Sequence, residues 1–168
     1  MSPCPLIRVL TAHDAAAFQA LRLHGLQSTP ESFGSSYEDE VGRTPAEIER
    51  MLDGRPNAVF GAFAGTELVG MAGFATTTKV KQKHKGLLWG VFVYADWRGH
   101  DLGRKLTLAV IGHARDHVDT LHATVMAANL PARTLYLGLG FTVFGFEKDA
   151  LRINGQSYDD ELLRLDLR

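Results

Sequence analysis

Cysteine is almost missing from this chain. Cys4 stands alone among 168 residues, so no disulfide can close within the chain, and a reducing compartment fits it. Nor is there an apolar run approaching the length of a membrane span. Met1-Ser2-Pro3-Cys4-Pro5 lacks the basic and apolar regions of a secretory leader, so a cytoplasmic protein is expected. Charge of one sign is lacking too. Eighteen Lys and Arg stand against 19 Asp and Glu, a net charge of −1, which gives no global pull toward nucleic acid or a membrane surface. Histidine, cysteine and carboxylates nowhere recur at metal-ligand spacing, so no metal is expected. A Gly-x-Ser-x-Gly elbow and a recognisable Cys–His pair are absent as well. With no repeat, low-complexity tract or linker, residues 1–168 read as one domain, large enough to bury a core.

What is present is concentrated in one stretch, Leu87 to Arg104. It opens as an apolar run, Leu87 to Tyr94, rich in β-branched and aromatic residues, which reads as a strand buried on both faces. A polar turn, Asp96 to Asp101, follows. From Leu102 a helical pattern begins, with Leu102, Leu106, Ala109, Val110 and His113 at helical spacing. A buried strand that passes through a Gly- and Arg-containing turn into a helix is a device for holding phosphate. The first N–H groups of a helix lack internal partners, and the positive end of its dipole lies there. Gly99 and Gly103 let the backbone approach a ligand, while Arg98 and Arg104 supply charge for a polyphosphate. The usual nucleotide loops do not fit: Arg104-Lys105-Leu106 is not the Walker ending, and the turn comes too late for a dinucleotide fold.

The rest reads as alternating elements. Leu6–Leu10 is a strand. A helix capped by Thr11 runs to about Leu26, and Pro30–Ser36 is a loop. Tyr37–Leu52 is a second helix with a break at Thr44-Pro45. Strands Asn57–Ala64 and Glu67–Thr76 form a hairpin at Gly65-Thr66, and Lys79–Lys85 is a basic loop. After the central strand and the helix Gly103 to Val118 come a strand Thr120–Ala127 and a short helix Leu130–Leu139. A terminal hairpin, Phe141–Phe146 with Tyr158–Leu167, turns around Asn154-Gly155. The order is α/β with a mixed sheet. Tyr158–Leu167 alternates over a long run and reads as an edge open to a second copy, which raises a homodimer.

Arg98-Gly99-His100-Asp101-Leu102-Gly103 resembles the acyl-CoA signature Arg/Gln-x-x-Gly-x-Gly/Ala of the GCN5-related N-acetyltransferases (GNAT), with Asp101 where that family usually has Gly. Asp101 is also the natural N-cap of the following helix. A second block, Asn129-Leu130-Pro131-Ala132-Arg133-Thr134-Leu135-Tyr136-Leu137-Gly138-Leu139-Gly140-Phe141, is similar to the family's Asn-x-x-Ala-x-x-Leu-Tyr-x-x-x-Gly-Phe. The resemblance implies a GNAT-type central mixed β-sheet of about seven strands flanked by about four helices. It further implies transfer of an acetyl group from acetyl-CoA to a primary amine, either a small molecule or a protein or peptide. A module of this fold that senses acyl-CoA without turnover is the alternative outside enzymology. Cofactor contacts implied are Val91, Phe92 and Val93 on the strand, then Arg98, Gly99, His100, Asp101, Leu102, Gly103 and Arg104, with Asn129 and Arg133. Asn129 also reads as a plain N-cap and Arg133 as a solvated charge. Glu31, Phe33 and Trp89 are the acceptor-side candidates.

Tyr136 falls at the position of the family's catalytic acid. Acetyl transfer from a thioester releases a thiolate, and a phenol, with a pKa of about 10 against about 8.5 for a thiol, is still protonated at neutral pH to donate to it. The other reading of Tyr136 is a residue that packs the short helix onto its strand. No general base announces itself. Carboxylate positions used by relatives are occupied here by Leu87, Trp89 and Thr124. Glu31, Glu38, Asp39, Glu40 and His24 lie where such enzymes build the acceptor site.

Overall fold

A computed structural model describes residues 4–168; Met1–Pro3, part of the leader reading, lie outside the described residues. One sheet of seven strands organises them, in the order β1-β2-β3-β4-β5-β7-β6. The strands are β1 (Leu6–Val9), β2 (Ala58–Ala64), β3 (Glu67–Thr76), β4 (Lys85–Val93), β5 (Thr120–Met126), β6 (Thr142–Ile153) and β7 (Gln156–Asp166). All neighbours are antiparallel except β4 and β5. The helices are α1 (Ala15–Ser28), α2 (Tyr37–Glu40), α3 (Pro45–Asp53), α4 (Leu102–Arg115) and α5 (Leu130–Gly138). Four of the five have more than seven residues. None is long and apolar enough to cross a membrane.

Helical spacing of apolar residues decides which face each helix covers. Phe18, Leu21 and Leu26 of α1, with Ile48 and Leu52 of α3, pack with Met71 and Phe92 on one side of the sheet. Leu102, Leu106, Val110, Ile111 and Ala114 of α4 pack on the other side with Val69, Phe74 and Leu121. Burying such a side chain contributes about 1.5–3 kcal/mol, so two faces give two cores locked by one sheet. The predicted second helix splits into α2 and α3 where Pro45 cannot continue one helix but readily starts another. Ser36 and Thr44 cap the two pieces, accepting from Asp39 N and Glu47 N.

Three expectations need correction. The central strand is not buried on both faces: Leu87 is 43 % exposed, and Trp89, Val91 and Val93 are half-buried. The reason is that β4 pairs with β5 only through Lys85–Leu87, after which the two parallel strands part. The terminal hairpin arms are longer than predicted. β6 continues from Phe146 to Ile153 through an irregularity between Glu147 and Leu151, where Asp149 takes a φ of 55°. The turn itself holds, with positive φ at Asn154 and Gly155, as a two-residue hairpin demands. Finally, β7 is no edge. It lies between β5 and β6, and the exposed edge is β6, which presents Val143, Phe144 and Phe146.

Candidate active site

Parting of β4 from β5 leaves half of a central strand with one side unpaired. Tyr94 donates its N–H to Val69 O of β3 at 3.0 Å. Strand groups alternate in direction, so the backbone N–H and C=O of Val93 and Val91 face the gap instead. Consistent with this, Val93 O accepts from Arg98 Nε at 3.2 Å. A bulge sharpens the bend: Gly90 and Val91 together oppose Ala72, and Gly90 has a φ of 64°. Phe92 points the other way. It is 6 % exposed, with Phe33 and Tyr94 rings about 6 Å off and the backbone of Gly25 against it.

The gap opens onto the N-terminus of α4. A pocket of about 420 Å³ is lined by Val93, Trp97, Arg98, Gly99, Asp101, Leu102, Gly103, Arg104 and Leu135. Two sequence blocks thus meet in space, the turn from β4 and Leu135 of α5. Gly99 has a φ of 80°. Asp101 occupies the N-cap position with φ 61° and ψ 17° and makes no side-chain cap. This left-handed conformation, free to glycine and tolerated by aspartate, is a backbone reason for glycine at the same point of the motif. Its carboxylate is therefore not the helix cap that the sequence suggested. His100 is not among the lining residues; its Nδ1 lies 3.2 Å from the carbonyl oxygens of Trp97 and Arg98. The basic loop before β4 sits at the opposite end of that nine-residue strand from the turn.

The second block is partly structural. Asn129 Oδ1 accepts from Ala132 N at 3.3 Å and so caps α5. Arg133 is held by Glu161, Nε to Oε2 at 2.7 Å. Tyr136 is 7 % exposed, its ring tilted on Phe141 at 5.8 Å. Burial pushes its phenol up to about 12.

A second cleft, of about 610 Å³, lies on the α1 side of the sheet, where Phe33 packs against Phe92. One wall is Phe33, Tyr37, Glu38 and Asp39; the other is Leu151–Asn154 of the terminal hairpin. Glu31 is half-buried in the 3-10 turn Pro30–Ser32 that precedes this wall. Trp89 is apart from it, lining a recess beneath α3 with Met51 and Asn57. A side chain at Gly73 would run into its indole. Glu40 is not available to the cleft: it is 2 % exposed and takes a fork from Arg22, Nε to Oε2 at 2.9 Å and Nη2 to Oε1 at 2.8 Å. Burial pushes Glu40's carboxyl up. Arg22's hydrogen bond and charge, with the charge of Arg43, outweigh that and leave it below the ordinary value. Arg22 Nη1 has no partner among the described residues and lies beside the Gly90 bulge. The sequence reading missed this pair, although a charged residue one turn beyond Phe18 on the apolar stripe of α1 is its signal.

Comparison with known proteins bears on this geometry. A family model for the acetyltransferase (GNAT) family matches residues 22–141. No curated protein matches the sequence. Among solved structures, a GNAT-family acetyltransferase from Streptococcus pneumoniae superposes with a TM-score of 0.86 at 22% identity, over 96% of this chain and 98% of that one. The protein yncA from Salmonella typhimurium, solved with its cofactor acetyl-CoA, gives 0.86 at 20% identity, over 99% and 95%. A ribosomal-protein-alanine N-acetyltransferase from Brucella melitensis gives 0.81 at 26% identity, over 96% and 99%.

Proposed function

The chain belongs to the acetyltransferase (GNAT) family, and from that premise we propose that it moves the acetyl group of acetyl-CoA onto a primary amine, with a small molecule as acceptor. One observation carries the reading. The half of β4 that has no partner on its β5 side runs into a turn and helix N-terminus whose glycines, arginines and free N–H groups suit a polyphosphate. The pocket there fits the donor: Val93 and Leu135 offer apolar wall, and backbone groups of the turn lie beside the Arg98 and Arg104 charges.

In this reading the thioester lies along the gap, and the backbone N–H of Val91 or Val93 donates to the carbonyl oxygen as it gains charge. The amine enters from the cleft walled by Glu38 and Asp39, whose carboxylates favour a cationic acceptor. Attack forms the C–N bond and breaks the C–S bond. Tyr136 donates to the departing sulfur. A phenol near 12 holds its proton firmly, so it acts first as a hydrogen-bond donor and yields the proton only as thiolate charge develops. Arg133 serves the site through Glu161 and the placement of α5 on β7. The small volume of this cleft, about 610 Å³, and the carboxylates of Glu38 and Asp39 on one wall support the small acceptor, whereas a peptide needs a long open groove.

The test is release of free CoA from acetyl-CoA with amino acids, polyamines and short peptides as acceptors. Turnover with a small amine above the peptides is expected. Peptides alone would reverse the acceptor assignment. Tight CoA binding with no turnover on any amine would make the protein an acyl-CoA sensor.

A further inference from the structure

We propose that Asp160 of β7 is the general base that takes the proton from the acceptor amine. This rests on the acetyl-transfer reading and supplies the group that the sequence did not reveal. The position follows from register. Leu87 pairs with His122 where β4 and β5 still touch. Four positions further along each strand, with the Gly90–Val91 bulge counted as one, Phe92, between Val91 and Val93, comes level with Met126 across the gap. Met126 in turn pairs with Asp160 on β7, about 5 Å further on. Asp160 is thus the first carboxylate beyond the gap at the height of the proposed oxyanion donor.

Its face is fixed as well. Glu161 reaches α5 through Arg133, so its neighbour Asp160 points to the opposite face, the one covered by α1. There the 3-10 turn Pro30–Ser32 packs against β5 and β6, with β7 between them. Asp160 is 9 % exposed, and none of the ion pairs among the described residues reaches it. The charges that act on it are acidic, Glu147 directly opposite on β6 and Asp159 beside it on β7; its other neighbour, Glu161, is paired with Arg133, and Glu31 is on the overlying turn. Like charges opposite one another in a sheet are destabilising, so fold stability gives no reason for this arrangement. Burial, then Glu147 and Asp159, raise the carboxyl's pKa above the ordinary value, toward the range where a base is useful at neutral pH.

The proton balance is complete. The ammonium form of the acceptor gives one proton to Asp160, directly or through one water, and the free amine attacks the thioester carbonyl. The C–N bond forms, the nitrogen gives its second proton to water, the C–S bond breaks, and the sulfur gains the proton from Tyr136. Asp160 then passes its proton to solvent and Tyr136 regains one, leaving amide, thiol and one net released proton.

The experiment uses acetyl-CoA with lysine, spermidine and the peptide Ala-Gly-Gly, in the wild type, Asp160→Asn and Glu147→Gln. For each acceptor that the wild type uses, Asp160→Asn should lower kcat 10- to 1000-fold at pH 7 and leave KM for acetyl-CoA within twofold. It should also erase the acid limb of kcat/KM. Its melting temperature should hold or rise, since an unpaired buried charge is gone. Glu147→Gln, at an exposed position, should move the acid limb to lower pH without lowering the plateau. A carboxyl 13C titration of Asp160 in the free enzyme should match that limb. An Asp160→Asn variant with wild-type kcat, or an acid limb unmoved in both variants, overturns the assignment alone. A wild type that turns over none of the three acceptors overturns the acetyl-transfer reading and the base with it.

Discussion

Tyr136 joins burial to chemistry most directly. Tyr136→Phe keeps the ring on Phe141 and removes only the hydroxyl. The expected result is a kcat lower by about 10- to 1000-fold with unchanged CoA affinity, measured by steady-state kinetics and calorimetry. A Tyr that served packing alone would give lost stability and normal turnover. With a phenol near 12, its ionisation should add no alkaline limb to the rate profile below about pH 10. Asp101 offers a second test. Its left-handed backbone suits glycine, while glycine also raises the entropy of the unfolded chain. Asp101→Gly should therefore leave the melting temperature within about 2 °C, the two terms being near 1 kcal/mol each. In the proposed reading the pocket holds polyphosphate, so removing a carboxylate from it should tighten CoA binding severalfold. Weaker binding on calorimetry would mean that the aspartate itself contributes to the site.

At the level of elements, the connection from α1 to α2 is fastened by the buried Arg22–Glu40 pair. Removing one partner strands the other charge, so Arg22→Met and Glu40→Gln should each cost about 3–5 kcal/mol in denaturant unfolding. The double variant should cost less than their sum. Glu40's carboxyl sits below its ordinary value in the folded state. Its contribution is therefore present above about pH 4.5, the unfolded value, and is lost as pH falls through the lower folded one. A loss of stability that begins as pH falls below about 4.5 and is missing from the double variant is the expected outcome. Elements were largely legible because each carries a local signal: the period of α4, the prolines opening α3 and α5, the Asn154-Gly155 turn. The pair was not, since Glu40 sits in an acidic run that reads as solvated surface until the fold brings Arg22 to it. Asp160 was hidden for a related reason. In an alternating strand its parity reads as the outward face, and only the register with β5 and β6 shows that a turn covers it.

For the molecule as a whole, the donor should stabilise the fold by linkage. CoA at a hundredfold excess over its dissociation constant adds about 2.7 kcal/mol. In a domain of this size that corresponds to a rise of roughly 5–10 °C in melting temperature. Arg98→Glu with Arg104→Glu should abolish the rise while the ligand-free melting temperature stays put; an unshifted wild type would remove the donor assignment. The seven strands and the helices between them were readable from sequence order. The parting of β4 and β5 was not, because apolar spacing reports burial and is silent about which strand lies alongside.

That parting means the protein carries a strand edge in the middle of its own sheet. Outer edges are commonly blunted with lysine, proline or a short length. Val91 and Val93 can use none of these if, as proposed, the backbone they would hide is the surface offered to the donor. Protection has to come from depth instead, with α1 and α4 standing on either side of the opening. In the proposed reading the donor then completes the sheet as a strand made of something other than peptide. The amides of Val91 and Val93 would exchange with solvent readily in the empty protein and slowly in the loaded one, so the same opening that admits the substrate also records its arrival.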